Sequence, residues 1–110
     1  MFKINTSPRF TRPVEVLVPV DGGFDKQVMK ATFRVVADAD EDARHDLHTT
    51  AGSTAFLREA VVELGDLADD DGRPVPYSDG LRDQLLKVPY IRAALAREYF
   101  TAVSKAAVGN

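Results

Sequence analysis

The chain predicts an α+β fold, an N-terminal antiparallel β-hairpin followed by three to four helices, and three features carry that reading. Apolar residues alternate on both sides of Asp21-Gly22-Gly23, the period of two expected of paired strands. Later stretches repeat apolar residues at helical spacing. Capping residues and prolines then cut the second half into separate helices. At 110 residues the chain reads as a single domain: an arm (1–12), the hairpin (13–37), a helical part (38–105) and a flexible tail (106–110).

Pro8 and scattered polar groups make 1–12 an arm. From Val14, the residues Val14, Val16, Val18 and Val20 face one way and Glu15, Leu17 and Pro19 the other, with Pro19 marking a strand end or an edge position. Asp21-Gly22-Gly23 supplies the turn, because glycine tolerates positive φ. The second strand sets Met29, Ala31, Phe33 and Val35 against Lys30, Thr32 and Arg34. A lone hairpin is marginal in water, so other elements must cover one of its faces.

Asp38 and Glu41 resemble a capping box opening a helix over about 39–49, with a thin stripe of Ala39, Ala43 and Leu47. Ala51-Gly52 breaks it and Ser53 caps the next helix, where Phe56, Leu57, Ala60, Val61 and Leu64 share one side and Gly65 ends the run. Asp66 to Tyr77 reads as a loop, turning at Asp70-Asp71-Gly72 and held extended by Pro74 and Pro76. Ser78 caps a short helix with Leu81, Leu85 and Leu86, and Val88-Pro89 separates it from a last helix reaching about Lys105.

That last helix has two apolar stripes. Ile91, Ala94, Leu95, Tyr99 and Ala102 form one, with Glu98 inside it; Tyr90, Ala93, Ala96, Phe100 and Ala107 form the other. A surface helix of a monomer needs one stripe. The second predicts a face kept for a partner, with Tyr90, Ala93, Arg97 and Phe100 as the candidate partner-binding residues.

Composition narrows the function. The chain is 45% hydrophobic and 28% charged, and no apolar run approaches the roughly 20 residues a membrane-spanning helix needs. Met1-Phe2-Lys3-Ile4-Asn5-Thr6 lacks the apolar core of a signal peptide, so a cytoplasmic location is expected, in keeping with the absence of cysteine. The net charge of −3 is uneven: residues 1–34 carry six basic and three acidic groups, 35–71 two basic and eleven acidic, and 72–110 six basic and three acidic. An acidic middle argues against nucleic acid as a partner. It serves either as solvated loops or as a surface that meets the basic ends of another copy.

No catalytic, cofactor-binding or metal residue is assigned. Asp38, Asp40 and Asp42 open like a calcium loop, but Ala43 and Thr49 stand where the turn glycine and the bidentate glutamate belong. His45 and His48 are spaced to touch one metal ion with Glu41 or Asp42 nearby, which would suit a small metal-dependent enzyme; two solvent-facing histidines on a polar helix is the preferred account. Ser53, Ser78 and Ser104 lack a nucleophile-elbow context, and Gly22-Gly23 precedes a strand rather than a phosphate-binding helix.

In pattern and order, residues 14–104 resemble the tail assembly chaperones of long-tailed, non-contractile bacteriophages and prophages. The residues that carry the resemblance are Phe56-Leu57-Arg58-Glu59-Ala60-Val61-Val62, Asp70-Asp71-Gly72-Arg73-Pro74-Val75-Pro76-Tyr77-Ser78, Leu85 through Leu95, Glu98-Tyr99-Phe100, and Ala31-Thr32-Phe33-Arg34 in the hairpin. Leu64-Gly65 stand where family members often carry a tryptophan. The resemblance implies a non-catalytic protein without cofactors. It would bind the tape measure protein, a long apolar helical rod, and self-associate along it in the cytoplasm of a bacterial host. It also implies a longer, frameshifted form that recruits the tail tube protein, with Ser104 to Asn110 as the junction. The alternative is a structural or tail-completion subunit that stays in the virion.

Overall fold

The computed structural model describes residues 1–5, 8–37 and 46–104. Its elements are β1 (Arg9–Val20), β2 (Gly23–Arg34), α1 (Thr50–Ala60), β3 (Val61–Gly65), α2 (Asp79–Leu85) and α3 (Pro89–Val103). The strands form one antiparallel sheet in the order β1-β2-β3. The α+β class and the N-terminal hairpin stand as expected, and the described helices number three.

The hairpin closes through Asp21 and Gly22, where Gly22 takes φ 81° at no steric cost, and Val20 pairs with Gly23. Its inner face places Val14, Val16, Met29, Ala31 and Phe33 in the core. β1 begins at Arg9, within the stretch read as an arm, and Val35 N–H donates to the Pro8 carbonyl at 3.0 Å. The sequence hides this start because Pro13 interrupts the strand pattern. The structure explains the proline: β1 is an edge strand, and Arg97 of α3 reaches the outward carbonyl of Glu15 at 3.5 Å. Odd-numbered residues of β1 therefore turn their backbone groups away from β2. Pro13 and Pro19 both fall in that set, so each lacks an N–H only where the ladder needs none.

The second correction concerns residues 61–65. The helix expected to run from Ser53 to Gly65 stops at Ala60, and Val61–Gly65 forms β3 on the free side of β2. Thr32 pairs with Glu63 and Phe33 with Val61, so the register slips by one residue at a β-bulge. The extra residue turns both Val61 and Leu64 into the core at a spacing of three, which in sequence imitates a helix. β-branched Val61 and Val62 favour the strand, and β2 gains a partner along its second edge.

α1 also starts earlier than expected. Thr49, not Ser53, is its N-cap, its hydroxyl accepting from Gly52 N–H at 3.0 Å. Ala51 and Gly52 belong to the helix, and a side chain at Gly52 would collide with the Asp46 carbonyl. Residues 46–49 form a turn, so the helix drawn over 39–49 does not reach them, while its capping box at Asp38 and Glu41 lies outside the described residues.

The remaining punctuation is as read. Ser78 caps α2 by accepting from Leu81 N–H at 3.0 Å, and Pro89 opens α3. Replacing Ser78 by alanine leaves that donor without its partner and should lower stability by about 0.5–2 kcal/mol. Ser78→Thr should recover most of the loss in urea titrations; equal behaviour of the two variants would show the cap to be idle.

Phe33, Leu57, Leu64, Leu86, Leu95, Val14 and Val61 are the largest fully buried side chains. Tyr99 sits at the hub of an aromatic cluster, its ring 5.7 Å from Phe33, 6.3 Å from Phe10 and 5.1 Å from Phe56 between centroids. Its hydroxyl accepts from Val36 N–H at 3.1 Å, which gives the buried phenol a polar partner. Arginines tie elements together through backbone carbonyls: Arg34 to Glu59, Arg82 to Val61 and Arg92 to Leu86.

Candidate functional site

α3 divides its residues between two environments. Ala94, Leu95 and Tyr99 are buried against the sheet, which closes the first apolar stripe into the core. The candidate partner-binding residues Tyr90, Ala93, Arg97 and Phe100 all lie on the opposite, exposed side. At 100° per residue they occupy a strip about 80° wide. Tyr90 is 37% exposed and Phe100 38%. Ala96 is half-buried, and Ala107 of the same stripe lies outside the described residues.

Phe100 is not isolated on that strip. Its ring stacks on Phe56 at 5.4 Å and meets Tyr99 edge-on at 5.0 Å. Core rings thus continue outward to the surface, so one face of Phe100 is held while the other is open. A pre-positioned aromatic with two rotatable bonds loses little entropy when a partner covers it. Arg97 lies beside the edge strand, joining this strip to β1. Pro13 and Pro19 remove two outward donors from β1, which blunts strand addition along that edge.

The outer face of the hairpin is a second apolar surface, one the sequence pattern did not single out. Leu17, Phe24 and Val28 are all exposed, and register brings them together: Leu17 pairs with Lys26, between Phe24 and Val28 on β2. A strand face turned to water is ordinarily polar, so three large apolar residues among its outward positions were the available signal. Lys26 and Glu15 flank them in an exposed ion pair at 3.8 Å, which contributes little to stability.

A third feature is a groove of about 410 Å³ under the distal half of the hairpin. Val16, Val18 and Met29 form its sheet side, Leu81 and Leu85 of α2 face them, and Tyr90 stands in its lining at the start of α3. Asp66 and Asp70 line it from the loop after β3 and are exposed. Asp66 has φ 56°, a left-handed conformation that aspartate tolerates, and this bend turns the chain out of β3. The acidic run beyond it is a turn rather than a cation loop: Asp69 accepts from the backbone N–H groups of Asp71 and Arg73 at 2.9 and 3.0 Å, while Gly72 takes φ 81°.

Ionisable groups near α2 are paired. The Tyr77 hydroxyl donates to Asp79 at 2.9 Å, and partial burial, with this carboxylate beside it, raises the phenol above its ordinary range. Burial would raise the Asp83 carboxyl, but the hydrogen bond and charge of Arg82 together with Arg58 outweigh it and hold the group below the usual range.

His48 is exposed in the turn before α1, and His45 lies outside the described residues. Among the described residues no group of three His, Asp or Glu side chains could hold a metal ion, and no helix is long and apolar enough to cross a membrane. In chemical terms the surface offers apolar and aromatic contact with a charged rim. Compared with protein-family models, curated proteins and solved structures, the chain gives no match.

Proposed function

We propose that this protein is a tail assembly chaperone of the kind made by long-tailed, non-contractile phages and prophages. In this reading it works without catalysis or cofactor in the cytoplasm of a bacterial host. It binds the tape measure protein, keeps that apolar helical rod soluble, and self-associates along it. A longer form would recruit the tail tube protein. The observation that carries the reading is the placement of Tyr90 and Phe100 on the exposed side of a helix whose other side already fills the core. An apolar rod left in water aggregates; a second apolar helical stripe gives it a surface of matching chemistry and period.

The test is co-expression with a phage tape measure protein, the long helical rod that this reading assigns as partner. The wild type should keep that rod in the soluble fraction. Phe100→Asp should reduce rod binding at least about tenfold, the scale of losing one aromatic anchor. It should remain folded, giving up only the ring contacts with Phe56 and Tyr99, about 0.5–1.5 kcal/mol for an aromatic pair. A rod that is equally soluble without this protein would overturn the proposal. Recovery of the protein from purified virions would instead assign it to the structural, tail-completion class.

A further inference from the structure

We propose that the groove beneath the hairpin receives the N-terminal arm of a second copy, residues Phe2 to Ile4, so that copies join head to tail. This rests on the self-association in the function proposed above and names the segment that performs it. Phe2 is 87% exposed and Ile4 86%, and with Met1 they are the most exposed large apolar side chains among the described residues. In an extended segment Phe2 and Ile4 point to one side and Lys3 to the other. The groove offers the complement: an apolar floor from Val16, Val18, Leu81 and Leu85, with Asp66 and Asp70 as acidic groups for Lys3. Among the described residues, an exposed contact with Lys30 at 3.9 Å is what Asp66 has to set against that attraction.

Reach decides between the chain's own arm and another's. Five residue steps separate Ile4 from Arg9, and five more separate Arg9 from Val14, which pairs with Met29 at the near edge of the groove. Each stretch spans at most about 17 Å. Ile4 could therefore return only to that edge, with no residue left to reverse direction, and Val18 lies farther still. The pair Phe2 and Ile4 cannot seat together in its own groove, so the donor is a second copy. The arm leaves one end of the hairpin, and the groove lies under the half nearer the turn. A contact between two different surfaces repeats without closing and builds a polar chain of subunits.

Sedimentation of the full chain tests this. The wild type should show a concentration-dependent series of oligomers that shortens with added salt, because Lys3, Asp66 and Asp70 meet at an exposed rim. Phe2→Asp combined with Ile4→Asp should weaken association at least about tenfold, as loss of apolar anchors does. Both side chains are free of the core, so circular dichroism should not change. Ala68→Arg, at an exposed position lining the groove, should do the same from the other side. If Ala68→Arg disturbs the fold, Asp70→Lys replaces it, and pairing it with Lys3→Asp should restore association.

The decisive arm is a mixture. The arm-defective and groove-defective variants, each monomeric alone, should form a one-to-one dimer that grows no further. The inference is overturned by a mixture that stays monomeric, by an arm variant that assembles like the wild type, or by a wild type that is monomeric up to about 1 mM, the weak end of specific association. Rod solubilisation and its loss in Phe100→Asp are read separately, so a failure here leaves the proposed function standing on its own test.

Discussion

Replacing Phe33 by alanine is expected to lower the free energy of unfolding by about 3–5 kcal/mol, the range for a large aromatic removed from a core. Phe33 is fully buried in the middle of the sheet. Its ring lies 5.4 Å from Phe10 and 5.7 Å from Tyr99, and its backbone pairs with Phe10 on one side and Val61 on the other. Deleting it opens a cavity that three elements border, and none can collapse into it without abandoning its pairing. A domain of this size has roughly 5–15 kcal/mol of stability in total, so the variant should sit close to half-unfolded in mild urea. The midpoint should fall while the slope of the urea transition stays constant. A loss below about 1 kcal/mol would mean that the ring does not fill the core as described.

Leu57→Ala is the second large effect, about 2–5 kcal/mol for a buried leucine. The case differs from Phe33 because of what depends on the side chain. α1 has 11 residues, too few to be stable alone in water, and only Leu57 and Ala60 are buried within it. Leu57 is therefore the one large side chain of α1 that is fully buried, beside the ring contact of Phe56 with Tyr99. The Arg34–Glu59 contact at 3.1 Å, between half-exposed groups, cannot replace it. Hydrogen exchange should show α1 amides losing protection before those of β1 and β2. Uniform loss across the molecule would make α1 part of one cooperative unit, whereas no loss would place Leu57 at the surface.

How much of this molecule was legible in its sequence depended on the range of the interactions involved. The hairpin was legible because strand alternation and the Asp21-Gly22 turn are local, and each side chain states its own face. α2 and α3 were legible for the same reason: Ser78 and Pro89 act within one turn of themselves. The exposed stripe of Tyr90, Ala93, Arg97 and Phe100 followed from helical period alone. The start of β1 was hidden by Pro13, since tolerance of a proline there depends on which edge of the sheet is open. β3 was misread because a bulge gave Val61 and Leu64 the spacing of a helix, and only the vacant side of β2 decided otherwise.

Two surfaces took shape only in the folded chain. Leu17, Phe24 and Val28 become one patch only through cross-strand register. The groove exists because residues as distant as Val16, Leu67 and Leu85 close around one space.

The amino-acid order by itself determined the α+β class, the hairpin turn, the Ser78 and Pro89 starts of α2 and α3, and the double apolar character of α3. Those properties follow from steric preferences and periodicities confined to a few neighbouring residues. The tertiary structure alone decided which edge strand is left open, that residues 61–65 extend rather than coil, and where apolar surface gathers into grooves and patches. Each of those outcomes is a competition between pairings far apart in the chain, settled by which arrangement buries the most apolar area while leaving the fewest backbone groups without partners.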